Sequence, residues 1–221
     1  MVRMQDVFKH IVKETIAPSL KKLCFKKKGN NFARTFPGFS WTINVQSSSW
    51  NTREDVAFTI NRGISIECLY GTYYKDEPPK FPLEVDAVMR LRISERKSTT
   101  DQHEDSWYKL TPATNLEDLI EQVKGDIERV IIPHFQQLQS IQDIIIGLEK
   151  REAQGYHENP HVLAVLYHEC DDREAAKERL RSVFAECETD AEREETKDLA
   201  ERLGFEITEL KKQDSTERQW L

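Results

Sequence analysis

The sequence predicts an α+β fold: an antiparallel four- to five-stranded sheet packed on N-terminal and central helices, with an all-helical C-terminal extension. Three features lead there. Apolar residues recur at three- and four-residue intervals over residues 8–23, they alternate with polar residues between 39 and 110, and only helical spacing follows residue 111. The expected division is an α+β domain over 1–141, a helical extension over 142–210 and a flexible tail over 211–221.

Phe8, Ile11, Val12, Ile16, Leu20 and Leu23 form one apolar stripe on a first helix. Pro18 must kink or divide it near Ala17, because proline lacks an amide proton and its ring collides with the preceding turn. From Phe39 the period becomes two. Trp41, Ile43 and Val45 alternate with Thr42, Asn44 and Gln46, then Val56, Phe58 and Ile60 alternate with Ala57, Thr59 and Asn61, as in two half-buried strands. The polar stretch Ser47 to Arg53 is short enough to join them as a hairpin. Arg62 and Gly63 interrupt the alternation before Ile64, Ile66, Cys68 and Tyr70 resume it, which predicts a bulge or bend. Residues 71–86, with Pro78, Pro79 and Pro82, read as a loop. Met89, Leu91 and Ile93, with Arg90 and Arg92 opposite, read as a further strand. Tyr108 and Leu110, with Trp107 and Lys109 opposite, read as a last short one.

Thr114 and Glu117 make a capping box ahead of a helical stripe from Leu116 to Ile131. Pro133 repeats the interruption at Pro18, after which Phe135, Leu138, Ile141, Ile145 and Leu148 continue the stripe as far as Gly155. Asn159 before Pro160 suits an N-cap and first helical position for a helix through Leu163, Leu166 and Tyr167. A helix from about Arg173 to Glu186 follows, then one opened by the capping box Thr189/Glu192 and closed by Gly204. The tail from Lys211 is expected to fray, with Trp220 exposed or docking.

A chain of 221 residues can bury a core without disulfides or metal. Cys24, Cys68, Cys170 and Cys187 contain no C-x-x-C pair, so free thiols in a reducing compartment are expected. Residues 1–23 mix charges into their apolar pattern, unlike a secretory signal, and no apolar run approaches the roughly 20 residues of a membrane span. A cytoplasmic, non-membrane location is therefore expected. Residues 1–110 hold 18 Lys and Arg against 13 Asp and Glu, and residues 111–221 hold 14 against 26, which together give the net charge of −7. Net acidity disfavours broad binding of a phosphate backbone but leaves a local basic face open.

His157, Glu158 and His161 spell H-E-x-x-H, which in zinc hydrolases sets two imidazoles one helical turn apart around a general base. Pro160 forces Asn159 out of helical geometry, so the two histidines cannot share a helix face. His168 supplies no ligand at the expected offset, and His10, His103 and His134 are isolated. No glycine-rich phosphate loop or nucleophile elbow occurs. No catalytic residue, metal ligand or cofactor is assigned, and the balance leans away from an enzyme.

If the apolar strand residues face the helices, Thr42, Asn44, Gln46, Thr59, Asn61, Arg90, Arg92, Trp107 and Lys109 share the opposite face. Asn44, Gln46, Asn61, Arg90, Arg92 and Trp107 are the candidate ligand-binding residues, since amides, guanidinium groups and an indole suit a carboxylate, a phosphate or a stacked ring. Antiparallel sheets commonly leave one polar face to solvent, which explains the pattern without a ligand. Trp107 resists that explanation, because a tryptophan on a solvated face calls for a cover. Lys21, Lys22, Lys26, Lys27, Lys28 and Arg34, interleaved with Phe25 and Phe32, read as a basic loop after a helix, usually only solvated.

The run from Leu20 to Gly29, with Ile43 to Ser47, Phe58 to Gly63, Arg90 to Ile93 and the pair Trp107, Tyr108, resembles a bacterial family known as domain of unknown function 4304. The resemblance covers roughly residues 4–140. It implies a bacterial, cytoplasmic origin and no activity, and it draws attention to Gln46, Asn61, Arg92 and Trp107. Two departures stand out: Cys24 occupies a position usually held by glycine, and Tyr108 one where a second tryptophan is common.

These readings combine into an expectation of a non-catalytic protein- or ligand-binding module, of the kind that neutralises an intracellular toxin, with a protein partner or a small anionic ligand. One rival is an enzyme or nucleotide-binding protein using the polar sheet face. Another is nucleic-acid binding through residues 21–34, which the net charge disfavours. Oligomeric state is left open.

Overall fold

The computed structural model describes residues 3–93, 107–156, 158–206 and 208. The expected tail over 211–221 with Trp220, together with His103 and His157, lies outside the described residues. The chain divides into two compact units, Met1–Glu67 with Pro79–Gln139 and Cys68–Pro78 with Ser140–Leu221.

Among the described residues, the first unit is built on a six-stranded antiparallel sheet. Its strands are β1 (Lys26–Lys28), β2 (Asn31–Phe36), β3 (Phe39–Ser47), β4 (Val56–Ile66), β5 (Val88–Arg92) and β6 (Tyr108–Leu110). They lie in the order β1-β2-β3-β4-β5, and β6 also pairs with β4. The alternating segments pair as expected, from Phe39↔Ile66 to Ser47↔Phe58, and the β3–β4 loop is closed by Asn51, whose side chain bonds both the N–H and the C=O of Ala57. Trp41, Ile43, Val45, Phe58 and Ile60 are all buried.

Several expectations are corrected. The basic segment after the first helix is not a loop: β1 and β2 form a hairpin around Gly29 and Asn30, with Gly29 at φ +61, as in two-residue turns that place glycine first. Among the described residues the sheet therefore has six strands rather than four or five. The break expected at Arg62 and Gly63 is present as a register shift between β4 and β5 at that point. Against β3 the register of β4 runs through it unbroken, so the side chains of β4 keep alternating, with Arg62 buried on the apolar side. The strand ends at Ile66, so Cys68 and Tyr70, read as continuing it, lie outside it, and Tyr70–Tyr74 forms a wide helical turn where the loop 71–86 was expected to begin.

Helices cover the apolar face. Helix α1 (Met4–Ile11) runs through a widened π-turn (Val12–Ile16) into α2 (Ala17–Lys22), and α3 (Leu116–Asp126) runs through a second π-turn (Ile127–Ile131) into α4 (Ile132–Phe135). Pro18 and Pro133 stand in the first turn of α2 and α4. In each case the widened turn absorbs the hydrogen bond that proline cannot donate, so the helix is interrupted without ending. Phe8 meets Phe58 with ring centres 5.0 Å apart, Trp41 stacks on Phe135 at 5.1 Å, and the Trp41 indole N–H donates to the Leu138 carbonyl at 2.8 Å. The N-cap of α3 is Asn115 rather than Thr114, whose hydroxyl is engaged by the Thr111 N–H. The stripe read as continuing past Pro133 breaks after Phe135, and Ser140 caps a new helix.

Helix α2 ends with Cys24 at φ +65, the Cys24 N–H donating to Lys21 and the Phe25 N–H to Leu20. This closing turn demands a left-handed residue and favours glycine, which accounts for the glycine expected there from the family resemblance.

The second unit contains α5 (Ile141–Ala153), α6 (His161–Glu169), α7 (Arg173–Glu186) and α8 (Asp190–Arg202). Gly155 and Gly204, at φ +83 and +74, close α5 and α8 as expected. The Thr189/Glu192 capping box forms, and Asn159 accepts from the His161 N–H at 2.9 Å. Asn159 also donates to the Tyr73 hydroxyl at 2.7 Å, which donates to Glu195 at 2.6 Å and is pushed up to about 12 by burial and that carboxylate. The turn Tyr70–Tyr74 is thereby tied to α6 and α8.

The second histidine of the H-E-x-x-H spelling is spent inside this unit. His161 Nε2 lies 2.9 Å from the Thr196 hydroxyl, which already donates to the Glu192 carbonyl, so His161 is the donor and carries its proton on Nε2. Burial holds its pKa below the ordinary 6.5.

Cys24→Gly is expected to stabilise the protein by about 0.5–1 kcal/mol, the left-handed penalty less the added freedom of the unfolded chain, read as a higher urea midpoint at unchanged slope. His161 gives a pH dependence of definite sign. The unfolded chain takes up a proton at about pH 6.5 while the folded unit resists until lower pH, so stability present above 6.5 is lost on acidification. Thermal melts from pH 7.5 to 5 should show this fall in the native protein and a smaller one in His161→Gln.

Candidate binding face of the sheet

Directly paired residues of antiparallel strands lie on one face of a sheet. The pairs Lys28↔Asn31, Asn31↔Asn44, Asn44↔Asn61 and Asn61↔Arg92 therefore set a cation, three amides and a guanidinium in one row across five strands. The row spans about 19 Å at the usual strand spacing. Its members are linked. Asn44 Nδ2 donates to Asn31 Oδ1 at 2.7 Å, Asn61 Nδ2 donates to Gln46 Oε1 at 2.7 Å, and Arg92 Nε donates to Asn61 Oδ1 at 3.3 Å. The Arg92 guanidinium also lies 5.2 Å from the centre of the Trp107 ring. Asn44, Gln46, Asn61, Arg92 and Trp107 are thus brought together on the side away from Trp41 and Phe58.

This face is not simply open to solvent, as the alternation suggested. Thr42 and Thr59 have no accessible surface and Asn61 keeps only 7%. The short helical turn Glu84–Asp86 packs on β3 and β4, so the proline-rich segment acts as a strap. Gly63 is the residue that admits it: a Cβ there would sit 2.7 Å from the Ala87 Cβ.

Arg90 stands apart from the row. Val88 pairs with Ile64 and Leu91 with Arg62, so Met89 and Arg90 together oppose Gly63, and Met89 takes φ +51. The bulge thus lies on β5, not on β4. Arg90 is held by Glu84, whose carboxylate is 4% exposed and lies 2.8 Å from its Nε.

On the apolar face the row Phe32, Ile43, Arg62 and Leu91 contains an arginine with no accessible surface. Arg62 Nη1 donates to the Arg92 carbonyl at 3.3 Å, fastening β5 past the bulge. On the same face, opposite Phe58, β6 supplies Tyr108, whose buried hydroxyl donates to Asp126 at 2.7 Å and is driven well above the ordinary tyrosine range by burial and that carboxylate. Sequence reading missed Arg62, although its place in the period of two after Phe58 and Ile60 was the available signal.

Among the described residues, no three His, Cys, Asp or Glu side chains gather as metal ligands, and no helix is long and apolar enough to cross a membrane. No curated protein and no solved structure matches the chain. The family model described as a domain of unknown function, DUF4304, matches residues 16–137, which take in α2, the whole sheet and α3 to α4. That match covers more than half of the chain and all of the linked amide row, and this protein belongs to the DUF4304 family.

Proposed function

We propose that the chain is a non-catalytic binding module whose ligand, anionic and carrying a planar ring, lies on the amide face of the sheet. The observation supporting this reading is the linked cluster of Asn44, Gln46, Asn61, Arg92 and Trp107. Its amides orient one another, yet among the described residues Gln46 Nε2, Asn44 Oδ1 and Asn31 Nδ2 have no hydrogen-bond partner, and all three side chains are partly exposed. Donors and acceptors fixed in direction and facing solvent are what a polar ligand needs. Arg92 adds charge suited to a carboxylate or phosphate, and the half-buried Trp107 adds a surface on which a ring can stack. Amides, a guanidinium and an indole do not change protonation near neutral pH, so they hold a ligand rather than move its protons. Arg90, neutralised by Glu84, is left a structural role.

A thermal-shift panel of purine and pyrimidine nucleotides and aromatic carboxylates tests this. A ligand present at 100 times its Kd adds about 2.7 kcal/mol of stability, a shift of several degrees, and Arg92→Ala and Trp107→Ala should each abolish it. No shift with any compound, or a shift indifferent to both substitutions, would sink the reading.

A further inference from the structure

Between Glu14 and Glu54 the chain has no acidic residue at all: residues 15–53 hold seven Lys and Arg and not one Asp or Glu. With 39 acidic residues in 221, a stretch of that length would carry about seven at the chain's average. The fold lays this stretch out as α2, β1, β2, β3 and much of the β3–β4 loop, and since β4, β5 and β6 also hold no Asp or Glu, none of the six described strands carries a carboxylate. Lys9, Lys13, Lys75, Lys177 and Lys197 each pair with a carboxylate. Among the described residues, Lys21, Lys22, Lys26, Lys27 and Lys28 form no such pair, and all five are exposed.

Register says where these charges point. Lys28 stands at the head of the amide row, and Lys26, opposite Ala33 and in line with Thr42, is on the same face one row away. Lysines on an edge strand also deter pairing with another sheet. Edge protection needs charge of either sign on β1 alone, however, and gives no reason to exclude carboxylates from β2, β3 and the loop beyond.

We propose that the amide face takes a single-stranded nucleic acid, its phosphates along the Lys26–Lys28 edge and a base on the Arg92–Trp107 side. This rests on the sheet-face reading above and names its ligand. The stretch 15–53, with its seven Lys and Arg and no acid, supplies the positive track that a phosphate chain requires. Asn and Gln amides match base edges, and the indole offers a stacking platform to any base. Both require bases that are unstacked and unpaired, which a duplex does not offer to a flat sheet.

The test is fluorescence anisotropy on the full chain with labelled single-stranded DNA and RNA of about twelve nucleotides, the corresponding duplexes, and mononucleotides as competitors. Neutralising about three phosphates predicts roughly 20-fold weaker binding of the single strand between about 50 and about 200 mM salt. The double variant Lys26→Ala, Lys28→Ala should lose about two-thirds of that salt slope, while Lys9→Ala keeps it. Both target residues are exposed on an edge, so circular dichroism should be unchanged. Mononucleotide binding with no gain for the longer strand, binding insensitive to salt, or duplex bound as tightly as single strand would overturn this inference and leave the sheet-face reading standing. Absence of any nucleotide binding, with an aromatic carboxylate still shifting the melt, would overturn it likewise; silence from every compound would remove both.

Discussion

The register of β3 against β4 is the constraint on which the first unit depends. Pairing of Phe39 with Ile66 through Ser47 with Phe58 puts Trp41, Ile43 and Val45 on the side of Phe58, Ile60 and Ile64. A slip of one residue would turn every one of these side chains over. Each large apolar side chain moved to water would cost about 1.5–3 kcal/mol, and the amides of Asn44 and Asn61 would be driven into the core. A slip of two would keep the faces but separate Asn44 from Asn61 and break the polar row. One ladder thus sets both the apolar core and the geometry of the opposite face.

That ladder was legible because both strands advertise a period of two, and Asn44, Gln46, Asn61, Arg92 and Trp107 inherit their common side from it. What escaped did so for identifiable reasons. Three consecutive lysines carry no alternation, so β1 exists only through its pairing with β2 around Gly29. Arg62 reads with Gly63 as an interruption of the alternation, yet it stands in the period of the buried Phe58 and Ile60, where a charge is ordinarily costly. The break before Ser140 was masked because Leu138 and Ile141 happen to keep helical spacing across it. Thr114 and Asn115 are neighbouring candidate caps, and only the bond from Thr111 to Thr114 decides between them.

Local irregularities in this fold compensate for specific residues. Pro18 and Pro133 each follow a π-turn, and the two widened turns keep the helices lying along the sheet despite a missing donor. Cys24 carries the strain of a left-handed helix end so that Phe25 can turn back toward Trp41 and Phe135, with ring centres 6.4 and 6.0 Å away. In both cases the backbone departs from regular geometry where doing so saves an aromatic or aliphatic contact in the core.

The bulge on β5 has the most direct bearing on the polar face. With an unbroken register, Met89 would oppose Ile64 and the strand would meet Gly63 with one residue. Inserting an extra residue brings Val88 and Leu91, three apart in sequence, both onto the buried side. It also frees Arg90 to follow the strap to Glu84 while Arg92 remains in line with Asn61. Two arginines that an ideal strand would present side by side are therefore given different tasks: one neutralises a buried carboxylate that fixes the strap, and the other completes the amide row. The same Gly63 that opposes the bulge leaves room for Ala87, so the strap, the bulge and the position of Arg92 follow from a single missing side chain.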